Sequence, residues 1–472
     1  MNKLGIIFFL VILFSSQIAF CQNVKWVSST DQKRWALNNA VELKILPQDL
    51  PCDAEVNLDQ HLQKIDGWGG CFNELGWDAL QILDPAKREE VLKSLFDKND
   101  GLNYTICRMP IGANDYARNW YSLDDTPGDF ALNKFNIDRD RSALIPYIKA
   151  AMKYQPELKI WGSPWSPPAW MKINNHYACL AAGTNDLSAA KMVNGQTNLF
   201  IQKPEYLTAY ASYLSKYVTA YRKEGINVFA VAIQNEPYAC SPYPTCLWSA
   251  AAMGNFIANY VGPTFKKNNT NAEIWFGTIN SNRIAAFDTV LADPGVRKFV
   301  SAVGVQWAGK NALADINLHY PKLKKIQTES ECGNGTFDWN AAEYTFSLMK
   351  HYLNNGISTY MYWNMVLDDF GKSTWGWKQN ALIVISKEKK QVTYTPEYYL
   401  MKHFSNYIIK GAVKLKTNNA NEDNLLAFKN PDGKIIVIVA NLQNEAKPIT
   451  VRLGDKYFKA DLEGRSFNSF IL

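Results

Sequence analysis

Histidine is scarce in this chain, at five in 472 residues, and no two histidines fall at an HxxxH spacing. No two of its cysteines form a CxxC pair. The usual sequence signatures of a zinc centre are therefore missing, and no metal site is expected. Beyond residue 21 no stretch approaches about 18 consecutive apolar residues, so the mature chain is not expected to span a membrane. The net charge of +6 is mild for this length, and no Lys/Arg block with interleaved aromatics suggests a nucleic-acid groove. No GxGxxG turn opens the first strand–helix unit, which counts against a dinucleotide-binding open sheet. Long linkers and low-complexity tracts are also lacking.

At 47% hydrophobic, 472 residues supply one large domain and a smaller one. The chain has 15 Trp within 13% aromatics, and indole faces commonly stack on sugar rings, although most of these tryptophans are expected in the core. Residues 1–21 read as an export signal, with Lys3 as the basic start, Leu4 to Phe14 apolar, and Ser15 to Cys21 a small or polar tail. Ala19 and Cys21 fit a cut before Gln22, whereas lipidation of Cys21 is disfavoured by bulky Phe20 before it. The expected location is periplasmic, cell-surface or secreted, with a monomer as the default state. Eight cysteines fall to seven if Cys21 is removed, so at least one thiol stays free in an oxidising compartment. Cys240 and Cys246, flanking Ser-Pro-Tyr-Pro-Thr, are a candidate disulfide pair.

From about residue 65 a short apolar strand, a polar turn and a longer amphipathic segment alternate repeatedly. The strand candidates are Ile65–Cys71, Tyr104–Ile111, Leu158–Trp165, Val228–Pro237, Glu273–Asn280, Ala302–Trp307, Lys325–Ser330 and Thr359–Met365. Helical patterns lie between them, among them Lys87–Phe96, Arg141–Tyr154, Glu205–Arg222, Met253–Lys267 and Ala341–Leu353. Roughly eight strands separated by helices over ~300 residues point to an α/β fold, a (β/α)8 TIM barrel, over residues 65–410. Residues 22–64 are strand-like and polar. From Val413 the pattern turns to short antiparallel strands, at Leu425–Lys429, Lys434–Asn441, Ile449–Leu453 and Ser466–Leu472, punctuated by Asn430-Pro431-Asp432-Gly433. Residues 22–64 and 411–472 are expected to meet in one small antiparallel β-sandwich beside the barrel.

In such a barrel the active site lies at the C-terminal ends of the strands. The residues closing the candidate strands are Asn73 and Glu74, Arg108 with Asn114 and Asp115, Trp165, Asn235 and Glu236, Gln306 and Trp307, Glu329, and Trp363 with Asn364. A purely structural rim has no need for that set. Cleaving a glycosidic bond takes two carboxyl groups, one neutral to protonate the leaving oxygen and one ionised to meet positive charge at carbon. Glu236 is the acid/base candidate. Pro237 ends the strand by withholding its N–H, and Asn235 offers an amide for a sugar hydroxyl. The competing reading of Glu236 is a loop carboxylate paired with a surface lysine. For the nucleophile, Glu329 and Glu331 differ by two positions and alternation puts both on one face, so periodicity does not choose. Glu329 is favoured because it lies closer to the strand proper. Arg108 is expected to hold Glu329 ionised, with a barrel-interior ion pair as the alternative role.

Three stretches carry a resemblance. They are Cys107-Arg108-Met109-Pro110-Ile111-Gly112-Ala113-Asn114-Asp115-Tyr116, Asp125-Thr126-Pro127-Gly128-Asp129-Phe130, and Ser163-Pro164-Trp165-Ser166-Pro167-Pro168-Ala169-Trp170-Met171-Lys172. Together they resemble family 30 of the glycoside hydrolases, which contains glucosylceramidases and endo-β-1,6-glucanases. The resemblance implies a (β/α)8 barrel with a β-sandwich, retention of configuration and no cofactor. It also implies Glu236 as acid/base and Glu329 as nucleophile. Arg108, Asp115, Trp165, Asn235 and Trp363 are then implied around the cleaved glucosyl unit, and Trp307 joins them as a strand-end indole. Where glucosylceramidases resemble His-Trp-Tyr, this chain has Gln306-Trp307-Ala308-Gly309-Lys310, and Ser330-Glu331-Cys332-Gly333-Asn334-Gly335 is also more similar to the β-1,6-glucanase branch. The expected activity is retaining hydrolysis of β-1,6-glucan of the pustulan or fungal-wall type. The alternatives are a glucosylceramidase, another β-glucosidase or β-xylanase of the family and, remotely, a non-catalytic glycan-binding protein.

Overall fold

Strands that are apolar on both faces must be covered on both, and the chain solves this by rolling eight of them into a barrel. In the computed structural model, which describes residues 23–193, 195, 197–418 and 422–472, the expected export signal and Cys21 lie outside the described residues. The barrel strands are β1 (Gly67–Cys71), β2 (Ile106–Pro110), β3 (Lys159–Ser163), β4 (Val228–Ala232), β5 (Glu273–Ile279), β6 (Val300–Val305), β7 (Lys324–Gln327) and β8 (Thr359–Asn364). They pair in parallel in the order β7-β6-β5-β4-β3-β2-β1-β8. Inside, Trp161 and Trp275 meet at a tilt with centroids 5.1 Å apart and cluster with Ala230, Ala232 and Ala302, large against small, so the interior is filled. Gly69 is required where β1 meets β2, because a Cβ there would lie 1.6 Å from the Ile106 carbonyl oxygen.

All the barrel strands but β1 end earlier than expected at their C-terminal ends. The one expected over Val228–Pro237 leaves the ladder after Ala232, and only Asn235 bridges onward, to Thr278.

The barrel closes between β7 and β8 largely through side chains. Gln327, fully buried, accepts from the Met361 N–H at 2.6 Å and donates to the Met361 carbonyl at 3.3 Å. Ser330 Oγ accepts from the Trp363 N–H at 3.0 Å, and the Ser358 N–H donates to the Lys325 carbonyl at 3.1 Å. One side-chain amide and one hydroxyl thus do at this seam much of what a backbone ladder does elsewhere.

Around the barrel the expected helix Glu205–Arg222 is Pro204–Lys223. The one expected over Met253–Lys267 is interrupted by a wider turn at Ile257–Val261, just before Pro263, which has no N–H to give. After β8 an unforeseen three-stranded sheet forms from Val366–Asp368, Ile383–Ile385 and Val392–Tyr394. The sandwich does combine both chain ends: Asn23–Ser29 pairs with Ser466–Ile471, and the long strand Ala54–Lys64 pairs with Val413–Asn418. It is not wholly antiparallel, as expected from sequence, because Lys447–Leu453 runs parallel to Ala54–Lys64. These two strands come from opposite ends of the chain, so no hairpin fixes their direction. Buried His403 joins the two domains, its ring nitrogens 2.7 Å from Ser469 Oγ and 2.9 Å from Ser29 Oγ. Burial, with Lys402 adding to it, pushes its pKa down to about 3, so the ring is neutral. Among the described residues no helix is long and apolar enough to cross a membrane.

Replacing Gln327 with Leu leaves the Met361 N–H and carbonyl buried and unpaired. The expected cost is about 2–4 kcal/mol, read as an earlier midpoint in urea unfolding. An unmoved midpoint would show that the seam does not depend on this amide.

Candidate active site

Arg108 on β2 is fully buried beneath the barrel mouth. Its Nη1 donates to Glu329 Oε2 at 2.8 Å, the Thr328 carbonyl at 3.1 Å and Gln306 Oε1 at 3.4 Å. Nη2 donates to Asn235 Oδ1 at 2.6 Å and Ser163 Oγ at 2.9 Å, and Nε to Ser163 Oγ at 3.1 Å. Trp165, Trp161 and Trp363 surround the guanidinium, with ring centroids 4.2, 5.0 and 5.4 Å away. A charge this deep persists because it is paired and every face is either hydrogen-bonded or covered by indole.

Glu236 lies past the end of β4, in a turn held by bonds from Asn235 N to the Pro164 carbonyl (2.8 Å) and from Glu236 N to the Thr278 carbonyl (3.2 Å). Its φ of 43° is a left-handed conformation that a non-glycine residue adopts at a cost of about 1 kcal/mol or more. Trp307, at φ 48°, is held the same way. Glu329 follows β7 by two residues, and Trp307 Nε1 donates to its Oε1 at 3.1 Å. Glu331 takes a different direction, pairing with Lys310 Nζ at 2.5 Å and accepting from Tyr344 OH at 2.5 Å. Alternation failed to separate the two because β7 ends at Gln327, before either residue.

Gln306 bridges the two carboxyls. Its Nε2 lies 3.1 Å from Glu236 Oε1 and 3.3 Å from Glu329 Oε2, so these oxygens are separated by at most the sum, about 6.4 Å. Burial, then the Glu329 charge, pushes the Glu236 carboxyl up to about 7, against Gln306, Arg108 and Tyr243. Burial raises Glu329 too, but the Arg108 charge and hydrogen bonds from Trp307, Arg108 and Gln306 oppose it. Of the pair, Glu329 is the better supported anion and Glu236 the better proton carrier.

The carboxyls open into a cavity of about 530 Å³ lined by Asp115, Trp165, Asn235, Glu236, Trp307 and Glu329, and also by Tyr243, Asn280, Ala308, Trp377 and Gln379. Asn235 Oδ1 already accepts from Arg108, Thr278 and Gln306, which leaves its Nδ2 for a ligand. Burial first, then Glu329, raises the Asp115 carboxyl well above its usual range. Arg108 and Trp363 do not line the cavity; they lie behind its wall, where Trp363 stacks on Trp165 at 5.4 Å. Asn73 caps the helix after β1 and bonds Asn364, while Glu74 pairs with Arg139. Sequence reasoning missed the roles of Tyr243, Trp377 and Gln379, which stand in loops with no periodic signal. Asn280 was missed as well, although it closes the strand expected over Glu273–Asn280.

The loop carrying Tyr243 is stapled by a disulfide between Cys179 and Cys240, with Cα atoms 5.3 Å apart, and not by the expected Cys240–Cys246 pair. Cys246 is buried and free, because its segment turns into the core beside Phe200 and Trp248. Among the described residues no cluster of three or more His, Cys, Asp or Glu could hold a metal ion.

The family model described as glycosyl hydrolase family 30 TIM-barrel domain matches residues 65–408, and the family 30 beta sandwich domain matches residues 411–470. The chain belongs to glycosyl hydrolase family 30. Lysosomal acid glucosylceramidase of Mus musculus is 26% identical over 421 residues, 83% of this chain and 78% of that protein. Endo-1,6-beta-D-glucanase neg1 of Aspergillus fumigatus is 28% identical over 414 residues, 83% of this chain and 81% of that protein. The solved structure of the endo-beta1,6-glucanase BT3312 superposes with a TM-score of 0.80 at 21% identity, covering 95% of this chain and 98% of that one. The family makes this chain a glycosidase.

Peptide mapping without reduction should recover a Cys179–Cys240 cross-link and an alkylatable Cys246. A Cys240–Cys246 peptide would refute the observed loop path.

Proposed function

We propose that this family 30 glycosidase hydrolyses β-1,6-linked glucan with retention of configuration. The observation that carries the mechanism is the amide shared by both carboxyls. The bound it sets, about 6.4 Å between two of their oxygens, accommodates the ~5–5.5 Å of a retaining pair. Glu329, as carboxylate, attacks the anomeric carbon while the glycosidic C–O bond breaks and the leaving oxygen takes the Glu236 proton. Water then gives a proton to Glu236 and its oxygen to the anomeric carbon, and the Glu329 ester is cleaved.

The relatives include both a glucosylceramidase and a glucanase at similar identity, so they do not choose the substrate. The cavity wall favours glycan. Among the described residues its lining is indole, phenol, amide and carboxyl, with Ala308 the single aliphatic side chain. Indoles stack on sugar faces and amides bond hydroxyls, whereas a ceramide tail calls for a continuous apolar rim. The sequence departure at Gln306-Trp307-Ala308 points the same way. Residues 1–21 are proposed as the export signal that takes the enzyme to a polymer outside the cell; an intact N-terminus on the mature protein would remove that part.

Product release from pustulan should greatly exceed that from laminarin, xylan or glucosylceramide. Glucosylceramide as the best substrate would reverse the assignment. Glu329→Gln should abolish turnover. Glu236→Ala should lose about 10²–10⁴-fold on glucan, less on aryl glucosides with good leaving groups, and regain activity with azide.

The first step needs protonated Glu236, so kcat/KM should fall as pH rises through about 7. It also needs ionised Glu329, whose raised pKa makes the acid limb begin above the ordinary carboxylate range. A rate flat from pH 5 to 9 would contradict these assignments.

A further inference from the structure

We propose that Gln306 is a positioning residue that serves both carboxyls in turn, following the negative charge as it passes between them. The inference rests on the glutamate-pair reading above. In the first step Glu329 loses its charge to the new ester, while Glu236 gains one by releasing its proton; the second step reverses both changes. A donor committed to one carboxyl must reorganise at each step, and preorganised donors avoid that cost.

Arg108 and Trp307 reach only Glu329 of the pair, and the Tyr243 hydroxyl reaches only Glu236, at 3.5 Å. Gln306 Nε2 reaches both, with Asn235 Oδ1 a third acceptor at 3.2 Å. Two N–H bonds facing three acceptors can redistribute by a small rocking of the amide. The amide does not turn over. Its Oε1 accepts from Arg108 Nη1 and, at 2.9 Å, from Thr328 Oγ1, and a guanidinium has only donors to offer. The side chain is fully buried, so water cannot substitute for it. Glutamine also brings no proton equilibrium of its own. Histidine at this position would offer a single N–H when neutral and would titrate.

The other titratable or charged groups facing the pair are Arg108 on β2, Asp115 after β2, Tyr243 after β4 and Tyr352 on the helix Trp339–Asn354, together with the thiols of Cys71 on β1 and Cys332 after β7. None of them donates to both carboxyls.

The test is kcat and KM against pH for Gln306→Leu, Gln306→His and Thr328→Val, on whichever glucan or aryl glucoside the wild type cleaves. Gln306→Leu should lower kcat about 10- to 100-fold with KM within about twofold, the loss of a hydrogen bond to a charged group. Both limbs of its pH profile should move upward, because each carboxylate loses a donor that favours its ionised form. Thr328→Val removes the hydroxyl that reaches the amide oxygen and the Val305 carbonyl, leaves Arg108 on that oxygen, and should move both limbs the same way by less; Gln306→His should recover part of kcat. Gln306→Leu folding as wild type with unmoved limbs, or losing activity through KM alone, overturns the proposal. If that variant does not fold, unmoved limbs in Thr328→Val overturn it instead. Glu329→Gln, assayed alongside, separates the two ideas: inactive with unmoved limbs in the Gln306 variants sinks the bridge alone, whereas an active Glu329→Gln sinks the pair as well.

Discussion

A guanidinium without access to water sits under the barrel mouth, and the surrounding residues are arranged to tolerate it. Taking an ion out of water costs several kcal/mol even after relaxation, so Arg108 needs a compensating partner for each donor. β3 supplies Ser163, the loop after β4 supplies Asn235, the end of β6 supplies Gln306, and the segment after β7 supplies Thr328 and Glu329. Indoles from β3, β8 and the second residue past β3 fill the remaining faces. Four separate stretches of chain are thereby fixed relative to one charge. Glu329 is one of its acceptors, so the same arrangement that makes the buried arginine stable also orients a carboxylate.

The difference between the two glutamates follows from this. Both are buried, and burial alone would raise both. Arg108 is bonded to Glu329 and not to Glu236, which breaks the symmetry and leaves one group inclined to ionise and the other to keep its proton. The left-handed backbone at Glu236 and Trp307 fits the same frame. Such conformations persist only where the surroundings over-determine them. Here Glu236 is pinned between the Thr278 carbonyl and Gln306, and Trp307 is tied by its indole to Glu329.

The barrel was legible because parallel strands buried on two faces give short unbroken apolar runs, and because Asn235, Glu236 and Glu329 each stand where such a run stops. What was not legible depends on partners far away in sequence. Nothing local to Gln327 says that it will stand in for a ladder opposite Met361, and nothing local to Cys240 prefers Cys179 over nearby Cys246. The parallel pairing of Lys447–Leu453 with Ala54–Lys64 likewise joins segments that share no turn. Arg108 was expected against substrate, yet its charge pattern specified a partner and not an exposure. Only the three indoles closing over it put it behind the wall.

That division also separates chemistry from choice of substrate. The charged frame belongs to strand ends held by buried hydrogen bonds, where a change in one group disturbs several others. Tyr243, Trp377 and Gln379 come from loops secured independently of Arg108: the first by the Cys179–Cys240 staple, the others by Asn380, which donates its N–H to the Cys332 carbonyl and its side-chain amide to Glu397. Tyr243 and Trp377 meet across the cavity with centroids 4.6 Å apart. These loops can change what the cavity admits without unsettling the arginine.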